Sequence, residues 1–209
     1  MNMLQVLFVL CLLQVLFVLC MMQEISIRRF SRSDQKAVES MFQEGLLSYT
    51  SADGDIQKIQ QSFVDMKLST SGDMYDIYES YKISTSEEEV DRNFWVAVID
   101  DEVIGCVAAI PSTLYPGQAV ELLRMSVHRE YRRKGVASKL ISHLSKWALS
   151  KNIKKIHLDT LSAMENAILF YQSNGFVITH EGILDVSDRF LDLNSNHTNL
   201  TYMIKFLDD

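Results

Sequence analysis

The run Arg132-Arg133-Lys134-Gly135-Val136-Ala137-Ser138 constrains this chain more than any other stretch. It follows an apolar run with the character of a strand, Val120-Glu121-Leu122-Leu123-Arg124-Met125-Ser126-Val127, and it opens a segment with helical periodicity. A strand, a basic loop with one glycine and a helix N-terminus together make a grip for a diphosphate. Glycine lacks a Cβ, so its backbone can approach a ligand closely. The unpaired N–H groups of a first helical turn point at an anion, and the helix dipole favours negative charge there. The cations Arg132, Arg133 and Lys134 add salt-dependent attraction.

A second segment follows in order: Ile156-His157-Leu158-Asp159-Thr160, then Ala167-Ile168-Leu169-Phe170-Tyr171-Gln172-Ser173-Asn174-Gly175-Phe176. With the spacing Arg132-x-x-Gly135-x-Ala137, it resembles the acetyl-CoA signature of the GNAT N-acetyltransferase superfamily, followed by that family's next strand and tyrosine-bearing helix. Phe94 to Val98, Val103 to Pro111, the Leu-Leu-Arg-Met-Ser-Val strand and Gly72 to Tyr81 are similar to the camello-like branch, which includes the cysteine-S-conjugate N-acetyltransferases. The likeness runs from about Glu24 to Gly182.

The resemblance implies an α/β fold with a mixed, splayed central sheet flanked by helices on both faces. It implies acetyl-CoA as co-substrate and no metal. The pyrophosphate would lie on Arg132, Arg133, Lys134, Gly135, Val136, Ala137 and Ser138, and the thioester beside the backbone of Met125, Ser126 and Val127, whose N–H groups can serve an oxyanion. Tyr171 takes the place of the general acid; a phenol with a pKa near 10 can protonate a departing thiolate. The family often has an asparagine seven residues before that tyrosine. Here the position is Met164, and Asn166 is the substitute considered for holding the coenzyme.

Glu121 and Asp159 are the candidate bases, with a surface or capping role as the competing assignment for each. Two-residue alternation puts Glu121 on one pleat face with Leu123, Met125 and Val127. Arg124 is a candidate for gripping the carboxylate of a small amphipathic amine, against a role in solvent or in pairing with a neighbour. The expected reaction is direct acetyl transfer to a primary amine, either of a small molecule or amino-acid conjugate or of a protein lysine or N-terminus. The competing reading is a CoA-binding sensor or scaffold without turnover.

The net charge of −7 argues against nucleic acid as the main partner. Against that background the four cations between His128 and Lys134 are a local inversion of sign. Cys11, Cys20 and Cys106 form no Cys-x-x-Cys pair, and the histidines show no ligand spacing, so neither a disulfide framework nor a zinc site is expected.

Residues 1–23 form an apolar leader with a direct repeat, Leu-Gln-Val-Leu-Phe-Val-Leu-Cys at Leu4–Cys11 and Leu13–Cys20. About twenty such residues as a helix span about 30 Å, enough to cross a bilayer. A membrane anchor is the favoured reading; a cleaved signal peptide and a spurious extension are its rivals. As an anchor, with Arg28, Arg29, Arg32 and Lys36 following it, the leader would leave the catalytic domain, residues 24–209, in the cytosol. Without it the protein would be soluble and cytoplasmic. The sequons at Asn196 and Asn199 are read as unused turn and strand residues. The branch's apolar membrane segment, between its first strand and the Gly-Asp-Met stretch, has no counterpart here: Ser48 to Ser71 is polar.

Strands are expected at Glu24–Phe30, Phe94–Ile99, Val103–Ile110, Val120–Val127, Ile153–Thr160, Phe176–His180 and Leu200–Phe206. Helices are expected after a cap at Ser33 or Asp34, over Ile56–Leu68, from Val136 and over Ala163–Ser173. Met74–Lys82 is ambiguous, and Ser84–Asp91 reads as a solvated acidic stretch.

Overall fold

The structure, a computed structural model, describes residues 24–48, 54–183 and 199–207. The leader lies outside them. Among the described residues no helix is long and apolar enough to cross a membrane.

Among the described residues seven strands form one sheet: β1 (Ser26–Arg29), β2 (Asn93–Ile99), β3 (Glu102–Pro111), β4 (Ala119–Val127), β5 (Lys155–Leu161), β6 (Val177–Ile183) and β7 (Asn199–Phe206), in the order β1-β2-β3-β4-β5-β7-β6. Neighbours are antiparallel except β4 and β5, which run parallel. The sheet is therefore mixed, as expected. The hairpin of β2 and β3 closes on Asp100 and Asp101, both left-handed at φ 48° and 65°, which suits the strands' twist.

Helices cover both faces. On one lie α1 (Gln35–Leu47), α2 (Gly54–Leu68) and the single turn α3 (Ile77–Ser80), packed with Phe30, Phe94, Val96 and Ala108. On the other lie α4 (Val136–Ser150) and α5 (Glu165–Ser173), packed with Trp95, Ala97, Val107, Val120, Leu122 and Ile156. The helix expected from Val136 forms, and it buries one apolar stripe: Val136, Leu140, Leu144, Trp147 and Ala148. Each large side chain so buried contributes about 1.5–3 kcal/mol. All of β2 is buried because both faces are covered, so its sequence is a continuous apolar run.

Some expectations change. A 3-10 turn, Arg32–Asp34, precedes α1, and Asp34 does not cap that helix with its side chain. Its carboxylate turns back to accept the Ser31 N–H at 2.7 Å and two bonds from Arg28 at 2.7 and 2.9 Å. The strand expected from Ile153 starts at Lys155, since Asn152 turns the chain with φ 59°. Met74–Lys82 resolves as core, with Met74, Ile77 and Tyr81 fully buried. The acidic stretch is not wholly solvated: Glu87 accepts bonds from Trp95 Nε1 at 2.9 Å and Asn93 Nδ2 at 3.0 Å.

Candidate functional site

The parallel pairing of β4 with β5 covers Ala119–Lys155, Val120–Ile156 and Glu121–His157, and stops there. Beyond it β4 follows β3 to Val127 and β5 follows β7 to Leu161, so the sheet parts into a V. Along the β4 wall, Leu123 pairs with Ala108 and Ser126 with Cys106, which leaves Arg124 and Met125 opposite the single residue Val107. This is a β-bulge, and Arg124 within it is left-handed at φ 54°. The Arg124–Met125 peptide therefore lies outside the ladders on both sides.

The bulge overturns the expected alternation. Leu123 packs with α1 and α2, whereas Met125 and Val127 pack with α4. Glu121, two residues before Leu123, shares its face and not that of Met125. Ser126 faces α1, its Oγ 3.2 Å from where a Cβ on Gly45 would stand.

At the mouth of the V a 3-10 turn, Arg129–Tyr131, leads into the basic loop. Arg133 and Gly135 are left-handed, with φ 64° and 81°, and α4 begins at Val136. Among the described residues the N–H groups of residues 133–138 donate to no backbone carbonyl, and no side chain caps the helix. A Cβ on Gly135 would meet nothing within 4 Å, so the space over it is open. Orphan first-turn amides beside open space and three cations fit a diphosphate.

The loop residues divide their work. Arg133, Lys134 and Ser138 are exposed, and Ala137 is half-buried. Val136 is buried and anchors the first turn in the core. Arg132 binds inward, its Nε donating to Val127 O at 3.1 Å and its guanidinium lying 3.4 Å from Ser48 Oγ. It ties the loop to the end of β4. Lys134 Nζ sits 5.1 Å from the Tyr131 ring.

Tyr171 is buried on the α4 side, with ring centroids of Phe170 and Phe176 at 5.4 and 5.5 Å. It shares that apolar cluster with Met125. Asn166 is exposed in the first turn of α5, while Met164 precedes the helix with its sulfur 3.7 Å from Thr160 Oγ1.

Glu121, His157 and Asp159 lie on the opposite face, toward α1 and α2, by pairing and by alternation along β5. Burial first, and the charge of Asp159 second, push the Glu121 carboxyl above its usual range. Asp159 is open to solvent by area, yet burial raises it too, with Arg124 and Lys67 opposing. A side chain on the wall of an open cleft has both properties. The buried Nε2 of His157 has no partner among the described residues, and burial lowers that imidazole. The candidate acid and candidate bases thus stand on opposite faces of the sheet.

Arg124 is not a free cation for a substrate. Its side chain is 7% exposed and its guanidinium is held by Asp73. Asp73, Tyr81 and His157 had no assigned role from sequence. Asp73 stood in the Gly72–Tyr81 stretch, but nothing local to it indicated a partner in β4.

A mixed sheet that parts beside a basic loop and a helix mouth, with helices on both faces, defines an α/β sandwich whose open end has the form of an anion site. Residues 57–176 match the Acetyltransferase (GNAT) family, and the chain belongs to it. Among curated proteins it is similar to human N-acetyltransferase 8B, 32% identical over 137 residues, covering 65% of this chain and 57% of that protein. It is also similar to the probable N-acetyltransferase camello of Xenopus tropicalis, 35% identical over 104 residues, 50% of this chain and 45% of that one. The chain thus spans about half the length of these relatives. Among solved structures, the PaiA N-acetyltransferase of Thermoplasma acidophilum in complex with coenzyme A shares the fold, with TM-score 0.63, 20% identity and coverage of 88% of this chain and 99% of that one.

Proposed function

We propose that this protein transfers the acetyl group of acetyl-CoA to a primary amine by direct attack. The observation that carries the reading is the set of unpartnered amides at residues 133–138, set beside the parting of β4 and β5. These amides and the neighbouring cations would hold the pyrophosphate, and the bulged backbone at Met125–Val127 the thioester.

The acceptor enters on the face of Glu121 and Asp159. One of these carboxylates takes the ammonium proton, directly or through water, and its raised pKa suits that exchange nearer neutral pH. The freed amine attacks the acyl carbon, and the backbone at the bulge stabilises the oxyanion. The carbon–sulfur bond breaks, Tyr171 protonates the thiolate from the other face of the sheet, and the extra proton left on the attacking nitrogen passes through water to the Tyr171 phenolate. The acidic wall favours a cationic amine. With Arg124 occupied by Asp73, any acceptor carboxylate would have to find another cation.

The test is purified protein with acetyl-CoA and a panel of amines, with released thiol as the readout. Saturable release that falls in Tyr171→Phe supports the enzyme. Thermal stabilisation by CoA with no release on any amine supports a sensor or scaffold instead.

The apolar residues 1–23 carry a proposal on location: they anchor the chain in a membrane with the catalytic domain on the cytosolic side. Protease protection in sealed vesicles, with and without detergent, checks the orientation. Soluble behaviour of the full chain would point to the cytoplasmic alternative.

A further inference from the structure

Asp73 lies in the connection between α2 and α3, remote in sequence from the site. Its place depends on Gly72, where a Cβ would stand 2.1 Å from the Lys67 carbonyl oxygen. Only glycine lets the chain fold back so tightly on the end of α2, where Met74 N–H donates to that same carbonyl at 3.1 Å. From there the Asp73 carboxylate reaches β4 and accepts Arg124 Nε at 2.9 Å and Nη2 at 2.8 Å. Tyr81 donates its hydroxyl to Asp73 at 2.5 Å, and Lys67 Nζ lies 3.6 Å away. The Arg124 guanidinium is walled by Phe63 at 5.4 Å and Phe42 at 5.8 Å.

Two facts make this more than an ion pair. A non-glycine residue in the left-handed region is strained, so its surroundings must impose it. And the strained residue, Arg124, is the one that makes the bulge at the parted strands. The bidentate grip on its side chain and the Cys106 thiol, which donates to the Arg124 carbonyl oxygen at 3.2 Å, are the visible restraints.

We infer that Asp73 and Arg124 form a positioning pair for acyl transfer: the Asp73 carboxylate holds Arg124 in its left-handed conformation, and the bulge so formed aims the peptide beyond it at the acyl carbonyl. The inference rests on the acetyl-transfer reading, and its test has an arm that needs no turnover. Neither residue touches reacting atoms; both act through the backbone.

The experiment compares the full chain with Asp73→Asn, Asp73→Glu and Arg124→Lys. Dissociation constants are measured for CoA and for acetyl-CoA, and thiol release is expressed per CoA-binding site. In Asp73→Asn and Arg124→Lys, CoA affinity stays near wild type, because the diphosphate loop is untouched. The preference for acetyl-CoA over CoA falls about fivefold, the worth of one hydrogen bond. Turnover per site falls about 10²-fold, as for a small misplacement. Asp73→Glu, which keeps the carboxylate, recovers part of both.

A merely structural role predicts parallel loss of CoA affinity and turnover, and that result overturns the inference. So does Asp73→Asn with wild-type turnover per site. If no amine is turned over even by the wild type, the acetyl-transfer reading fails by itself, and an unchanged acetyl-CoA preference then removes the pair's role too. Should Asp73→Asn fail to fold, Arg124→Lys gives the same readouts, with Asp73→Glu still the variant that recovers them.

Discussion

Glu121 of β4 stands opposite His157 of β5 as the last parallel pair before the two strands part. The pair marks the closed end of the V. Asp159, two residues further along β5 on the same face, stands where the V has opened. This arrangement puts two carboxylates and a buried imidazole on one wall.

The two carboxylates are coupled. Burial, then the charge of Asp159, raises the Glu121 carboxyl. Asp159→Asn removes the second cause and is expected to move the Glu121 titration to lower pH. Carbon-13 NMR of the carboxyl signals, with Glu121 identified by its loss in Glu121→Gln, reads this. An unmoved Glu121 signal would separate the two groups.

Glu121→Gln should gain stability while losing activity. The folded-state pKa of Glu121 is raised, so the stability tied to its proton is present below its unfolded value and is lost as pH rises through the folded one. At neutral pH the ionised group is a cost that glutamine avoids. The melting temperature of Glu121→Gln is therefore expected above wild type at pH 7 and not at pH 4. If Glu121 is the base, thiol release falls about 10²-fold or more.

Tyr171→Phe keeps the ring between Phe170 and Phe176 and removes only the hydroxyl. The stability change is expected within about 1.5 kcal/mol, the usual range for one hydrogen bond. CoA affinity should hold while kcat for thiol release falls by about 10²-fold. Equal kcat in the two proteins would reduce Tyr171 to a packing residue.

Gly135 separates conformational strain from charge. At φ 81° with open space around it, alanine meets no atom, so Gly135→Ala carries only the left-handed penalty of about 1–2 kcal/mol. Gly135→Asp adds a negative charge over the anion cradle and is expected to weaken CoA binding at least about tenfold beyond alanine, more at low salt. Calorimetric titration at two ionic strengths checks both. CoA affinity in Gly135→Asp equal to that of Gly135→Ala would place the diphosphate elsewhere.

Asp34 is an acid-stability group. Burial alone would raise it, but bonds from Arg28 and Ser31 outweigh that and hold it below the usual carboxylate range. Its contribution is therefore present above its unfolded pKa and lost as pH falls through the folded one. Asp34→Asn is expected to lower stability at pH 7 by about 1.5–3 kcal/mol, the range for hydrogen bonds to a charged group. Below pH 3 its deficit should shrink. Urea unfolding at the two pH values measures it.

The elements were legible where their cause is local. The helical periodicity of α4 and the apolar strand runs both follow from neighbours within a few residues. The basic loop was legible for the same reason: its cations, its glycine and its helix start are contiguous. Boundaries slipped where a short turn intervened, as at Asn152 and before α1. Glu87 looked solvated because its partners, Trp95 and Asn93, are recruited by folding and not by pattern.

By itself the sequence determined an alternating α/β chain with a basic, glycine-bearing loop at the head of one helix, because those features depend on residues adjacent along the backbone. The tertiary structure alone decided which face Glu121 takes, what Arg124 does and where the sheet opens. A bulge of one residue inverts every side chain after it, and no local pattern shows it. Asp73 meets Arg124 across a sequence separation of 51 residues, a contact that exists only once α2 is packed on the sheet.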